Sequence, residues 1–427
     1  MPTGHPPAAP AARAGTRQLA ATPASASQSS LRSHNLHLVY QLIAQSEQPL
    51  SRAQVAERVG MTRATSSSLV DRLIAGGLLE ELDSRVSGRA GRPATPVRPA
   101  RGTLAGLGLE INVDYVGARA VDLAGQVLAE RVEPASLAGL PPDEACRALA
   151  AAARAVRRRL AARRIPLVGA VVAVAGPVDR ATGRLRSAPN LGWRDVDLPA
   201  LVGARLRLAP IGADNEASLA ARAELAAAAD PAASFVYVSG GIGIGAGLVR
   251  EGALYGGAHG WAGELGHVTV DVSGPPCACG ASGCLEQYAG RRAILARAAP
   301  KPAAPDDRRD PASRAGPEDI ARLARQGDPS TLAALDEAGR AIGLALAGAI
   351  NFTDIGTVVL GGDFTQLAPF LKPRLVAELE RRVVSWGWSP TDQLVRPALG
   401  PTLPALTGAA LAATDRVAAD PEAFCTP

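Results

Sequence analysis

The stretch GELGHVTVDVSGPPCACGASGCLEQY, residues 263–288, holds three of the chain's five cysteines and one of its five histidines. Nine residues separate His267 from Cys277, and Cys279 and Cys284 follow at short spacing. Three thiolates and one imidazole make a complete tetrahedral set of zinc ligands. Because this set leaves no coordination position for water, we expect a structural zinc ion. Thiols without metal in a surface loop are the alternative.

Glu264 and His267 lie three residues apart, so on a helical turn they would share a face. Zinc on one imidazole nitrogen would leave the other N–H as an oriented donor. A carboxylate beside such a donor suits the hydroxyl groups of a sugar. The alternative is that Glu264 only supports the zinc site. Gly280 and Gly283 would permit the sharp turns that bring the cysteine sulfurs together.

Composition predicts a globular protein of two or three domains. The chain has 427 residues, of which 47% are hydrophobic, and this is enough for real cores. No run of 18 apolar residues appears, and residues 1–30 lack the apolar segment of a signal peptide. We therefore expect a cytoplasmic protein with no membrane partner. In that compartment clustered cysteines bind metal more often than they form disulfides.

The net positive charge of the chain lies at its N-terminal end. Residues 1–101 contain 12 arginines and 6 acidic residues, a net charge of +6, whereas the rest of the chain has 33 basic and 34 acidic residues, a net charge of −1. A basic module attached to a neutral domain is typical of nucleic-acid binding. A basic solvated surface would have the same composition.

Residues 31–100 predict a winged helix-turn-helix that follows an Ala-, Pro- and Ser-rich tail, residues 1–30, expected to be disordered. Apolar residues recur at helical spacing between residues 34 and 45. Ser51 and Thr62 are placed to cap a second and a third helix. A strand, a basic glycine-rich turn and another strand follow, which is the pattern of a wing.

The third helix of this module would lie in the major groove of DNA, and the wing would reach phosphates or the minor groove. The predicted DNA contacts are Arg63, Thr65, Ser66 and Ser68 on the helix, and Arg89 and Arg92 in the wing. A protein-interaction module of the same shape is the alternative. Hydroxyl side chains at the start of the third helix, without an apolar patch, favour DNA.

The remaining sequence alternates strands and helices in two similar sets. A glycine-bearing hairpin near residue 108 begins the first set, and a similar hairpin near residue 243 begins the second. Two α/β lobes with a cleft between them are the expected fold. The Pro- and charge-rich segment 298–319 predicts a mobile surface loop. Gly361 and Gly362, at the end of a predicted strand, indicate a place where backbone approaches a ligand.

The runs GAHGWAGELGHVTVD and GPPCACGASGCLEQYAG resemble the signature of the ROK family, which comprises bacterial sugar kinases and sugar-responsive transcriptional regulators. AGPVD at 175–179, DNEAS at 214–218 and LGGD at 360–363 extend the resemblance over residues 103–415. The N-terminal pattern resembles the regulator branch. The resemblance implies a two-lobed, sugar-kinase-like domain with the actin-like ATPase fold, in which the sugar binds between the lobes.

The resemblance also implies which residues bind the ligands. Sugar contacts would fall on Asn215, Glu216, Glu264, His267 and Glu286, with Asn190 as an addition, and the zinc ligands would be His267, Cys277, Cys279 and Cys284. Both sets agree with the interpretation of residues 263–288 from their chemistry.

Departures from the kinase pattern separate the two branches. Where the family's kinases carry an Asp-x-Gly-Gly-Thr-Lys phosphate loop, this chain has EINVDY at 110–115, and residues 241–243 are Gly-Ile-Gly in place of Gly-Thr-Gly. The hydroxyls and the lysine that would hold phosphate are missing. Glu216 aligns with the catalytic Asp, and its extra methylene would misplace a base. We therefore expect no ATP binding and no catalytic residue.

These observations predict a DNA-binding transcriptional regulator, most simply a repressor of genes for carbohydrate uptake or metabolism. Binding of a sugar or amino sugar would close the lobes and change the affinity for a palindromic operator. Because one winged helix reads only a half-site, a homodimer or homotetramer is required. The alternatives are an ATP-dependent sugar kinase with an appended DNA-binding domain, and a zinc-stapled interaction scaffold without a ligand.

Overall fold

The computed structural model of the chain describes residues 28–83, 95–298, 315–384 and 394–425. An N-terminal helical module precedes two α/β lobes in these residues. Of the helices that this part of the chain forms, none combines the length and the apolar character needed to cross a membrane.

The N-terminal module consists of three helices and a small antiparallel sheet. Its elements are α1 (Gln28–Ala44), β1 (Leu50–Ser51), α2 (Arg52–Val59), α3 (Arg63–Ala75), β2 (Leu79–Glu81) and β3 (Pro96–Pro99). The strands pair in the order β1-β3-β2, so that β2 and β3 are the two strands of a wing. Helix α1 begins within the segment predicted to be a disordered tail, and residues 28–30 are therefore a correction to that prediction.

Two capped helix starts determine the geometry of the helix-turn-helix. The hydroxyl of Ser51 accepts a hydrogen bond from the N–H of Gln54, and the Gln54 side chain accepts one from the N–H of Ser51, which completes a capping box. At the start of α3, the Thr62 hydroxyl accepts a hydrogen bond from the N–H of Thr65. Both caps agree with the sequence prediction, and they determine where α2 and α3 begin.

The first lobe is built around a five-stranded sheet in the order β10-β7-β4-β5-β6. Its elements are β4 (Ala105–Ile111), β5 (Tyr115–Asp122), β6 (Val127–Pro134), α4 (Pro142–Ala162), β7 (Leu167–Val174), β8 (Leu185–Ala188), β9 (Trp193–Val196), α5 (Leu198–Leu206) and β10 (Ile211–Asn215). Strands β7 and β10 continue the sheet in parallel on one side of β4, and β5 and β6 continue it in antiparallel on the other.

The second lobe repeats this topology with the order β13-β12-β11-β14-β15. Its elements are β11 (Phe235–Gly240), β12 (Ile244–Arg250), β13 (Ala253–Leu254), α7 (Glu286–Ala289), α8 (Arg291–Ala298), α9 (Pro317–Arg325), α10 (Pro329–Thr353), β14 (Val358–Gly362), α11 (Asp363–Arg382) and β15 (Val395–Pro397). An antiparallel pair again lies on one side of the central strand and a parallel pair on the other. The duplication predicted from the two hairpins is therefore present.

One predicted boundary in the second lobe needs correction. The loop expected over residues 298–319 overlaps the first turn of α9, because residues 317–319 are helical, and Ala298 is the last residue of α8. The intervening residues 299–314 lie outside the described residues.

Two further helices, α6 (Glu216–Ala227) and α12 (Pro404–Ala419), pack between the sheets and against each other. Helix α12 lies so close to β4 that a Cβ at Gly108 would overlap the carbonyl oxygen of Leu406. Helix α12 contacts β4 of the first lobe and also α6, which in turn packs on β12 of the second lobe.

The C-terminal end of α12 packs against the N-terminal module. Val417 is fully buried in the apolar cluster that contains Leu36 of α1 and Leu73 of α3. The Nδ1 atom of His37 lies 2.7 Å from the carbonyl oxygen of Ala418. The module is thus joined to the two lobes by a packed interface.

Candidate ligand-binding cleft and metal centre

Four predicted metal ligands, His267, Cys277, Cys279 and Cys284, converge on one point. Their ligand atoms all lie within 4.8 Å of one another. The sulfur of Cys277 is 3.8 Å from Nδ1 of His267, and the sulfurs of Cys279 and Cys284 are 3.6 Å apart. Three sulfurs and one imidazole nitrogen form the donor set of structural zinc sites. The residues therefore fit a zinc ion.

The loop that carries the cysteines is shaped by its own backbone. The N–H of Cys277 donates to the carbonyl of Ala281 at 2.8 Å, and the N–H of Gly280 donates back to the carbonyl of Cys277 at 3.0 Å. Gly283 has a φ of +67°, and a Cβ there would overlap the carbonyl oxygen of Asp271. These local turns hold the sulfurs together without help from distant residues.

His267 stands between the cysteine cluster and the cleft. It ends a 3₁₀ turn, Leu265–His267, with Nδ1 toward Cys277 and Nε2 3.9 Å from the carboxylate of Glu264. A metal on Nδ1 would leave Nε2–H as a donor on the cleft side. Burial raises the pKa of Glu264 above its usual value; His267 opposes this shift, and the nearby carboxylate of Glu286 adds to it.

Glu286 and Asn190 meet at Gly243, where the two lobes face each other. A Cβ at Gly243 would overlap the Glu286 carboxylate and would lie 3.1 Å from Nδ2 of Asn190. Glu286 begins α7 and accepts a hydrogen bond from the N–H of Ile244 at 3.2 Å. Asn190 follows β8 of the first lobe. Four of the predicted sugar contacts, Asn190, Glu264, His267 and Glu286, thus belong to one interlobe site.

Asn215, another predicted sugar contact, caps the start of α6. Its side-chain oxygen accepts hydrogen bonds from the N–H groups of Ala217 and Ser218 at 2.8 and 3.2 Å. Its side-chain nitrogen donates to the carbonyl of Gly176 at 3.0 Å. This residue therefore holds the start of α6, where Glu216 lies, in place.

Glu216 lies near a second carboxyl group, that of Glu110 on β4. Burial, together with the charge of Glu110, raises the pKa of Glu216 to about 8. Glu110 is only 3% exposed, and burial raises its pKa to about 7 against the lowering effects of Tyr115 and Arg119. The Tyr115 hydroxyl donates to Oε1 of Glu110 at 2.6 Å, whereas Oε2 has no hydrogen-bond partner among the described residues.

Sequence reasoning missed Arg291, the first residue of α8. Its guanidinium donates to both carboxylate oxygens of Asp363 at 2.6 and 3.0 Å, and its Nη1 lies 3.5 Å from Asp114 of the first lobe. The available signal was an arginine directly after Gly290, next to the CLEQY run.

Helix α3 exposes three of its four predicted DNA contacts, Arg63, Thr65 and Ser68. The prediction for Ser66 is corrected, because its side chain is fully buried and its hydroxyl points to the carbonyl of Arg52 at 3.4 Å. Position 66 lies on the same helix face as the buried Leu69, Val70 and Leu73. The wing residues Arg89 and Arg92 lie outside the described residues.

Comparison with known proteins agrees with this geometry. Residues 106–415 match the ROK family. The chain belongs to the ROK family. Xylose repressor of Bacillus subtilis (strain 168) is 28% identical over 359 residues, which cover 84% of this chain and 89% of the repressor. Glucokinase of Streptomyces coelicolor (strain ATCC BAA-471 / A3(2) / M145) is 28% identical over 307 residues, which cover 69% of this chain and 94% of the kinase.

Structural similarity extends over the N-terminal module as well. The solved structure of a ROK family transcriptional regulator, a homologue of the E. coli MLC protein, superposes with a TM-score of 0.73 at 23% identity and covers 92% of this chain and 99% of that one. The combination of a helical N-terminal module with a two-lobed actin-like domain is therefore the fold of this ROK family member.

Proposed function

We propose that this ROK family member is a sugar-responsive, DNA-binding transcriptional regulator that acts as a repressor. The observation that carries the proposal is the convergence of Asn190, from one lobe, with Glu264, His267 and Glu286, from the other, at a single site. Residues 31–100 are its DNA-binding domain and residues 103–415 its sensor domain. The xylose repressor, aligned over 84% of the chain, supports this assignment.

The site suits vicinal hydroxyl groups. Glu264 and Glu286 provide carboxylate acceptors, and Nε2–H of His267 provides a donor 3.9 Å from Glu264. Hydrogen bonds to charged groups are stronger than neutral ones, so this set can bind a ligand that has no charge. His267 and the three cysteines would hold a zinc ion, which would fix the orientation of the imidazole. A sugar or an amino sugar presents the alternating donors and acceptors that these side chains need.

Closure of the lobes is the step that couples the sugar to DNA. A sugar held by Asn190 and Glu286 favours the arrangement in which the lobes are close, since each residue belongs to a different lobe. Helix α12 transmits the change because it packs on β4 and also contacts α1. Two such chains in a homodimer or homotetramer would change the spacing of their α3 helices across a palindromic operator.

The proposal includes no ATP binding. At residues 110–115, where kinases of the family carry their phosphate loop, this chain places the buried Glu110 and the hydroxyl of Tyr115 at 2.6 Å from each other. Acidic side chains repel phosphate, and the lysine that would attract it is absent from this segment. The 28% identity to the glucokinase keeps sugar phosphorylation as a second candidate, which an ADP-release assay with a hexose panel tests.

The decisive experiment is fluorescence anisotropy of the full-length protein on DNA from upstream of its own gene. D-xylose, D-glucose and N-acetyl-D-glucosamine are added at two salt concentrations. We expect saturable binding that survives competitor DNA and is weakened by one of the sugars. Binding that ignores all three and simply fades with salt would reduce the module to a nonspecific basic surface. Sustained ADP release with a hexose would favour the kinase.

Glu264→Gln tests the site itself. Removal of this carboxylate should raise the sugar concentration needed for DNA release by about tenfold or more, because a hydrogen bond to a charged group is lost. DNA affinity without sugar should not change. Arg63→Ala is the matched control, since it should weaken DNA binding and leave the heat of sugar binding in calorimetry unchanged. An unaltered sugar response in Glu264→Gln would contradict the proposed pocket.

A further inference from the structure

An ion-pair network joins the two lobes where the β4–β5 turn faces the β11–β12 turn. Arg291 lies beside the second turn, because its backbone N–H donates to the carbonyl of Gly241 at 2.8 Å. Its guanidinium then reaches Asp114, in the first turn, at 3.5 Å. The two turns lie in the segments 110–115 and 241–243, which depart from the kinase pattern.

Asp363, in the second lobe, orients the guanidinium of Arg291. Asp363, the first residue of α11, accepts two hydrogen bonds from Arg291, and this paired geometry fixes the plane of the guanidinium. The Arg291 and Asp363 side chains are 15% and 13% exposed. The remaining nitrogen of Arg291 is thereby aimed across the cleft at Asp114, which is 38% exposed.

Asp114 is equally well anchored in the first lobe. Its backbone N–H donates to the side chain of Asn112 at 3.2 Å, and its carbonyl accepts from the N–H of Ala135 at 2.9 Å. The turn therefore moves with the first-lobe sheet. Any opening of the cleft at this end has to separate Arg291 from Asp114.

We propose that Arg291 and Asp114 form an interlobe latch that takes the place of a bound nucleotide in holding the lobes together. Arg291 is a positioning residue in this role. The latch keeps Asn190 and Glu286 within reach of the same ligand before the ligand arrives, so less of the sugar's binding energy is spent on closure. The change in sugar affinity predicted from this inference rests on the proposed function, whereas the predicted change in amide exchange at the two turns does not.

Hydrogen–deuterium exchange of the full-length protein without sugar tests the latch. Asp114→Asn removes the cross-lobe charge and keeps the Arg291–Asp363 pair, and Arg291→Gln removes both contacts. In each variant, peptides covering residues 110–116 and 241–245 should exchange about threefold faster, the change expected for loss of one partly exposed ion pair. Arg291→Gln leaves Asp363 buried without its partner and can therefore destabilise the fold. Asp114→Asn keeps that pair, so we expect this variant to retain the fold.

Arg297→Gln is the matched control. Arg297 lies on the same helix, but its contacts are to the carbonyl of Gln287 and the ring of Tyr288, within the second lobe. In the Arg297→Gln variant, amide exchange at the two turns should match that of the unchanged protein. The latch variants should also bind the responsive sugar about threefold more weakly in calorimetry, with the same maximal release of DNA. The double variant should be no weaker than Arg291→Gln alone.

The outcomes separate this inference from the proposed function. If the unchanged protein responds to none of the three sugars, the proposed function fails, and the exchange experiment still decides the latch. Unaltered exchange in both Asp114→Asn and Arg291→Gln overturns the latch even when the sugar response is intact. Equal acceleration in Arg297→Gln would also overturn it, because the effect would then reflect loss of charge in general.

Discussion

At the residue scale, His267 lies between two candidate sites. Its Nδ1 faces the cysteine sulfurs and its Nε2 faces Glu264, so one ring connects the metal centre with the cleft. In the proposed function the cysteines would therefore support the ligand site as well as the loop, and removal of a bound zinc ion should disturb both.

Replacement of Cys279 by Ser should abolish the retention of zinc. The hydroxyl is a poor zinc ligand, and the remaining three ligands leave an incomplete tetrahedron. We expect the purified variant to hold less than about a tenth of the zinc of the unchanged protein, as measured by inductively coupled plasma mass spectrometry. Cys146→Ala, buried in the first lobe, is the control that keeps its zinc. Full zinc occupancy in Cys279→Ser would contradict the ligand assignment.

The carboxyl groups of Glu110 and Glu216 predict a stability that decreases as pH rises. Their pKa values are raised to about 7 and about 8 in the folded protein, with Tyr115 and Arg119 opposing the shift at Glu110. An unfolded glutamate has a pKa of about 4.3. The folded state therefore binds more protons between about pH 5 and 8, and the free energy of unfolding should fall by more than about 1 kcal/mol over this range.

Glu110→Gln should flatten this dependence in urea unfolding measured at several pH values. The amide keeps the size of the side chain and has no proton to lose near neutral pH. Glu251→Gln, at an exposed position in the second lobe, should keep the slope of the unchanged protein. The same slope in Glu110→Gln as in the unchanged protein would show that this carboxyl group is ionised throughout.

At the scale of elements, α12 is the helix that joins the cleft to the N-terminal module. It contacts β4 through Gly108, and its extension, the 3₁₀ turn Pro421–Phe424, packs on α1. Glu422 in this turn accepts hydrogen bonds from Ser33 of α1 and, at 2.6 Å, from Arg72 of α3. One carboxylate thus links the end of the chain to two helices of the module.

Glu422→Ala should loosen the module and weaken its coupling to the lobes. We expect amide exchange in α1 and α3 to become about two- to fivefold faster, because the loss of a partly exposed ion pair costs little free energy. Sugar affinity in calorimetry should be unchanged, while the sugar-dependent release of DNA should be reduced. The control is Glu337→Gln, which removes a comparable pair with Arg340 on α10. If Glu422→Ala releases DNA on addition of sugar as the unchanged protein does, this contact does not couple the lobes to the N-terminal module.

At the scale of the whole molecule, two lobes of the same sheet order meet where Asn190 and Glu286 approach Gly243, and in the proposed function each chain presents one α3 helix to DNA. In the proposed function a single chain would therefore read one half-site. High affinity would then require a second chain placed at a matching distance along the duplex.

A palindromic duplex should bind two chains, with an affinity about a hundredfold or more above that of a duplex with one half-site. Anisotropy measures the affinities, and analytical ultracentrifugation gives the stoichiometry. Insertion of about half a helical turn between the half-sites keeps both sequences but should remove the advantage, because the two α3 helices would face different sides of the duplex. Equal affinities for the palindrome and the half-site would contradict a two-chain complex.

The sequence by itself determined the features that depend on neighbouring residues. Ser51 and Gln54 form their capping box over three positions, and Cys277 to Cys284 converge through turns within one loop. The duplicated sheets could also be predicted, since a glycine-bearing hairpin begins each of the two sets of strands and helices. Local hydrogen bonds and periodic burial act over short distances, so their pattern is visible in the sequence.

Only the tertiary structure decided which distant side chains meet. Ser66 is fully buried although it is polar, and its position three, four and seven residues before Leu69, Val70 and Leu73 is the signal in the sequence that the DNA-contact prediction overlooked. Asn190 meets Glu286, and Arg291 meets Asp114, 177 positions away, because α6 and α12 pack against each other and against strands of the two sheets. Long-range contacts depend on how whole elements pack, and the residues of one segment carry no record of their partners.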